Sequence, residues 1–305
     1  MSISFYVKNK KKFLGYETVL NVESALTLLN KELNVYNNKN IDINDLLLSP
    51  VSNYECLLIG EDKVSARGFE LSYDNKNKIY AVRIFTPSSR EDWLLALEYI
   101  KALAKKFNSE IVNERGEVYT VDNIDKFDYE NDILYGIEVI TSNLKSGEAH
   151  NYSIFGIDRV VSFNQEMSNK IENSVSPIDT FSNIIKEIQY LDAYSANQQF
   201  YQNNEDYRII GAYTLTENLR TILPYKPSVE FENSDIVKND EISCWNIGLV
   251  TIEGDENDPN SYQVAGQIDY DDFIKKLPIS KYKFIDASYI MVEPLSKEEM
   301  LDLLK

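Results

Sequence analysis

Histidine occurs once and cysteine twice in this 305-residue chain, and both scarcities narrow its chemistry. A Ser-His-Asp triad would have to be built on His150, which sits in the turn-like "KSGEAHNYS", and no G-x-S-x-G segment supplies a serine for it. His150 is therefore read as a surface residue. Cys56 and Cys244 lie far apart in apolar, strand-like contexts, so no disulfide framework, C-x-x-C site or zinc site is expected. Glycine is scarce too, at 11 residues. Neither G-x-x-x-x-G-K-[ST] nor G-x-G-x-x-G is present, so no nucleotide loop and no cofactor is expected. No run approaches the roughly 18 apolar residues of a spanning helix, and the N-terminal apolar stretch is too short for a signal segment. Bases are in deficit. Against 49 acids stand 31 lysines and arginines, a formal charge of −18 that repels nucleic acid and anionic membranes. The one basic run, "KNKKK" from Lys8 to Lys12, reads as a solvated loop. A cytosolic protein is expected.

What remains is ordinary globular material, 43% apolar and 26% charged, enough for a packed core. Its 21 tyrosines suit half-buried sheet faces and interfaces, where the ring is covered and the hydroxyl wet. Strands are expected at 2–7, 54–60, 68–73 and 79–85, the last two closing a hairpin over "DNKN". Val22, Ala25, Leu26, Leu29 and Leu33 recur at helical spacing behind Asn21 as N-cap, and a second helix is expected over 90–107. A short hairpin around Arg115 and Gly116 follows. This β-α-β-β-α-β order predicts an α+β unit of split βαβ, ferredoxin-like type. The acidic "DNIDKFDYEND" is taken as a boundary, giving an N-terminal α+β domain over 1–125 and a C-terminal one over 126–305. In the second, strands are expected at 133–140, 152–163, 207–215, 245–252, 262–268 and 284–292. Helices are expected at 178–194, behind Ser176 and Pro177, and at 270–276 and 297–304, behind Asp269 and Ser296. The predicted class is α+β: two units of mainly antiparallel sheet with helices on one face.

Acid-rich stretches are weighed as metal sites and set aside. "EGDENDPN" (253–260) lacks the alternating ligands of a calcium loop and reads as a hairpin connection, while "DYDDF" reads as helix capping. The arginines are the remaining candidates. If the hairpin closes over "NKNK", Arg83 faces Glu70 as a cross-strand ion pair and Arg67 comes close to Thr86 and Pro87. That places Arg67 beside the Ser88, Ser89 and Arg90 start of the second helix, where an anion or a C-terminal carboxylate would find a helix dipole and an arginine fork. Arg67, Ser88, Ser89 and Arg90 are thus the candidate ligand site. The bland reading is a capping box, Ser88 with Glu91 or Ser89 with Asp92, ahead of an apolar helix face.

Four stretches taken together, "SFYVKNKKKFLGY", "RGFELSYD", "VRIFTPSSREDWLLALEYIKALAKKF" and "SYIMVEPLSKEEM", resemble a family of uncharacterised, roughly 300-residue cytosolic proteins from low-GC Gram-positive and related bacteria, a domain of unknown function. The resemblance covers the whole chain and implies an architecture of bacterial origin. It carries no catalytic residue onto any position. Function is therefore read from the residues: a non-enzymatic binding or protein-interaction module, with a basic protein as partner by charge complementarity. The alternatives are a hydrolase or transferase working with Asp, Glu and Arg, and an immunity-like inhibitor of a basic toxin. No metal is expected.

Overall fold

Alternation builds the first strand: in the computed structural model, which describes residues 1–147, 150–202 and 207–305, Ile3, Phe5 and Val7 of β1 (Ser2–Lys8) are all buried. The helix α1 (Val22–Leu26) starts on Asn21, whose side chain accepts from the Ser24 N–H, but it stops after five residues. Leu33 leaves the expected helix to open β2 (Leu33–Val35), opposite Glu61 of β3 (Leu57–Glu61). So short a helix gains little by itself, and cross-strand pairing outweighs its periodicity. Between them α2 (Ile43–Leu48) is capped by Asp42. The hairpin of β4 (Phe69–Asp74) and β5 (Ile79–Phe85) has the expected register, Glu70 opposite Arg83, with the ion pair formed at 2.7 Å.

From β5 the chain enters α3 (Arg90–Phe107) and returns as β6 (Ile111–Asn113) and β7 (Val118–Tyr119). The sheet order is β2-β3-β4-β5-β1-β6-β7, antiparallel throughout among the described residues. Strand β1 lies between β5 and β6, so the α3 crossover is split around it. Trp93, Ala96, Leu97, Ile100, Leu103, Ala104 and Phe107 are buried, the continuous apolar face that the spacing predicts. Each large side chain of that face contributes about 1.5–3 kcal/mol by burial.

Residues 133–140, expected as a strand, are instead the middle of α4 (Tyr129–Ser146). Asp128 caps it, Glu130 and Asp132 occupy its first turn, and Ile133, Ile137, Ile140 and Leu144 form its buried stripe. The β-branched residues suggest a strand, but their three- and four-residue spacing belongs to a helix. The hairpin β8 (Tyr152–Phe155) and β9 (Val160–Phe163) and the helices α5 (Gln165–Glu172) and α6 (Pro177–Gln189) complete a first compact unit, Met1–Tyr190. The break expected at 125/126 falls inside it. Phe127 and Tyr129 stack on Trp93, with ring centroids 5.3 and 6.2 Å away, so aromatic packing runs straight across that position.

The second unit, Leu191–Lys305, is built on two four-stranded sheets. One comprises β10 (Tyr194–Ser195), β13 (Thr221–Pro224), β16 (Tyr282–Phe284) and β17 (Tyr289–Val292). The other has the order β11 (Gln199–Gln202), β12 (Ile209–Thr216), β14 (Ile242–Ile252), β15 (Tyr262–Asp269), with β12 and β14 parallel. Helices α7 (Tyr270–Lys276) and α8 (Lys297–Leu303), capped by Asp269 and Ser296 as expected, close a core of Tyr213, Leu215, Ile247, Leu249, Phe273 and Met300. The expected strand over 284–292 is two strands joined by a turn, where Asp286 accepts from the Ser288 and Tyr289 N–H groups.

Candidate functional site

The corner nominated by sequence exists, and its anion belongs to the chain. Ser89 caps α3: its Oγ accepts from the Asp92 N–H at 3.0 Å, and Asp92 reaches back to the Ser89 N–H, so the capping box is the Ser89–Asp92 pair. The Asp92 carboxylate then does more than cap. It accepts the backbone N–H groups of Arg67 and Gly68 at 2.9 Å, that of Ala66 at 3.2 Å, and the hydroxyls of Ser88 and Ser89 at 3.2 and 2.7 Å. Asp92, Ser88 and Ser89 are completely buried. Burial pushes the Asp92 carboxyl up, and the hydrogen bonds from Ser89, Arg67 and Gly68 pull it back down. Gly68 has a φ of +63° and lies so close to the Ile59 carbonyl that a Cβ would meet it at 2.3 Å, which is how three consecutive N–H groups reach one carboxylate.

Both arginines of the corner are held internally. Arg67 is 6% exposed; its Nε donates to the Phe155 carbonyl at 2.7 Å and its Nη1 to the Pro87 carbonyl. Its guanidinium lies over the Phe85 ring, 4.7 Å from the centroid. Burial lowers its pKa to about 10 while the Asp92 charge opposes the fall, so it stays a cation at neutral pH. Arg90 turns outward and ties three helices together. It pairs with Asp179 of α6 at 3.0 Å and with Glu130 of α4, while its backbone N–H donates to Ser182 Oγ at 3.0 Å. Charge-assisted bonds to Glu130 and Asp179 hold its pKa above the ordinary arginine value. Arg67, Ser88 and Ser89 of the nominated set meet at Asp92, whereas Arg90 turns away to Glu130 and Asp179. What sequence misses is the acceptor: Asp92 reads locally as a cap, and its bonds to Ala66–Gly68 are tertiary.

A second carboxylate stands out beside this corner. Asp132 of α4 is half-buried and accepts from the Thr86 hydroxyl at 3.0 Å; burial pushes its pKa up to about 6. It fell in the stretch read as a boundary. Among the described residues no group of three His, Cys, Asp or Glu side chains is placed to hold a metal ion.

In the second unit the sheet has one packed face and one open one. Tyr213, Leu215, Ile247 and Leu249 point into the core, so Thr214, Thr216, Gly248 and Val250 point away from it. Val264 and Tyr262 of β15 pair with Val250 and Ile252 and extend the same face; they are 72% and 41% exposed. A Cβ on Gly248 would meet nothing closer than 3.8 Å. No charged residue lies among these positions. At one end is the β14–β15 loop, a hairpin connection as expected, with Asp255 and Asp258 accepting from the Asn257 and Asn260 N–H groups. Glu253, Asp255, Glu256 and Asp258 make that end exposed and acidic.

The profile of a family described as Domain of unknown function (DUF4299) matches residues 2–303. No curated protein and no solved structure matches the chain. No helix among the described residues is long and apolar enough to cross a membrane.

Proposed function

The chain belongs to the family described as Domain of unknown function (DUF4299), and within it we propose a binding module for a basic protein partner. The uncharged patch of Thr214, Gly248, Val250 and Val264 on the open face of β12, β14 and β15 supports this reading. An exposed valine and tyrosine on an open sheet, in a chain with 26% charged residues, suit the apolar centre of an interface. The acidic loop at its end and the charge of −18 favour a partner of opposite sign. Partner capture with the wild-type chain and with Val264→Gln tests it. A basic protein should be retained in equimolar amount by the wild type, released by salt, and lost with the variant. Equal recovery on both chains, or retention of no basic protein, overturns the reading.

A second reading rests on Asp132. A half-buried carboxyl with a pKa about 6 beside a hydroxyl suits general acid–base work in a hydrolase or transferase. Asp132→Asn separates the two, because it removes turnover under this reading and leaves partner capture unchanged under the first.

A further inference from the structure

At the end of the first unit's sheet, where β1 finishes beside the beginnings of β5 and β6, lies a groove of about 670 Å³. Its floor is apolar. Tyr6, Ile79 and Val112 lie on the sheet face that α3 does not cover, since their neighbours Val7, Tyr80 and Ile111 are the buried ones. Its wall carries Lys8, Lys10 and Lys11, all exposed, the run expected to be a solvated loop. Lys12 pairs with Glu17 at 3.5 Å, whereas Lys8, Lys10 and Lys11 have no carboxylate within ion-pair distance among the described residues. Among the described residues Glu110 is the single acid lining the groove. In a chain with 18 more acids than bases, three neighbouring cations left without acids are a local reversal of the field.

A buried polar residue sits between the cations in sequence. Asn9, 3% exposed, lines the same groove. Its Nδ2 donates to the Glu17 carbonyl at 2.8 Å and to the Tyr73 hydroxyl at 3.0 Å, while its Oδ1 has no hydrogen-bond partner. Such an oxygen is costly unless a donor reaches it. The groove thus combines exposed ammonium groups and an apolar floor, within the size range of small-molecule sites.

We propose that this groove binds a small phosphomonoester of mononucleotide size, its phosphate among Lys8, Lys10 and Lys11 and its ring or apolar body on Tyr6, Ile79 and Val112. Lysines serve phosphate as point charges. A polymer is disfavoured because each further phosphate meets the acidic remainder of the surface. The site belongs to the first unit and goes beyond the protein-docking reading; neither depends on the other.

Titration of isotope-labelled protein by NMR tests it, with adenosine monophosphate as probe and adenosine and inorganic phosphate as separate arms. The monophosphate should shift the amides of Lys8–Lys11 and Asn108–Glu110 saturably, at lower concentration than inorganic phosphate, and adenosine should bind far more weakly. Lys10→Glu with Lys11→Glu should raise the Kd by at least about tenfold with the melting temperature unchanged, because both side chains are exposed. Inorganic phosphate binding as well as the nucleotide would mean an anion patch without the apolar subsite and would overturn the assignment. So would adenosine matching the monophosphate, or full affinity in the double variant. Loss of this binding with partner capture intact would fail this proposal alone.

Discussion

A carboxylate in a fully buried position needs donors on every side, and Asp92 has them from Ala66, Arg67, Gly68, Ser88 and Ser89. Removing it leaves the N–H groups of Ala66, Arg67 and Gly68 without their acceptor and takes a compensating negative charge away from the buried Arg67 cation. Asp92→Ala should therefore cost about 3–5 kcal/mol, read from urea denaturation. A loss under about 1 kcal/mol would mean that the corner is not built on this residue. Asp132 behaves in the opposite sense. Its folded pKa, about 6, lies above that of an unfolded aspartate, so the folded chain retains a proton that the unfolded chain has released. Stability should fall as pH rises from about 4 to 6, and Asp132→Asn should remove that slope and stabilise the protein at pH 7 by about 1 kcal/mol. Denaturation midpoints measured across that range, on both proteins, check the sign. At this scale sequence names the Ser89–Asp92 capping box but misses what else the carboxylate holds. Ser89 and Asp92 are three residues apart, whereas the three N–H groups that complete the nest come from another part of the chain.

Helix α3 is the element most completely written in the sequence. Pro87, the serine cap, the acids at Glu91 and Asp92, the apolar stripe and the lysines in the last turn all agree on 90–107. Helix α4 is not so plain, because "ILYGIEVI" has strand-forming residues and a glycine. Its structure gives that glycine a task. A Cβ on Gly136 would lie 2.5 Å from the Pro87 nitrogen and 2.6 Å from the proline ring, so α4 approaches the β5–α3 junction only because the position is bare. Gly136→Ala should destabilise by about 1–3 kcal/mol although alanine is the better helix former. Unchanged or raised thermal stability would contradict that close packing. Arg90 joins the same elements from outside, but its partners Glu130 and Asp179 are half exposed. Arg90→Ala should cost no more than about 1 kcal/mol, with the loss shrinking at high salt.

For the whole molecule, the division at Tyr190 makes a prediction that the boundary expected from acidic composition does not. The core of Tyr213, Leu249, Phe273 and Met300 is contained within 191–305. A fragment of those residues should unfold cooperatively on heating. A fragment of 1–125 should not, because it lacks Phe127, Tyr129 and the helices α4 and α6 that pack on α3. Cooperative unfolding of 1–125 in calorimetry would favour the boundary expected from acidic composition.

Composition and short-range pattern were enough for the α+β class, the capped helices and the β4–β5 register, because each depends on residue type or on neighbours a few positions apart. Tertiary structure alone decided that Leu33 pairs as a strand, that the chain divides at 190, and that Asp92 occupies the corner nominated for an outside anion. It also placed the exposed Lys8, Lys10 and Lys11 along the wall of a groove. These depend on which distant backbone groups meet, and local periodicity carries no information about that. The corner at Ser88–Arg90 was legible as a place that attracts negative charge; only the folded chain shows that the charge is its own.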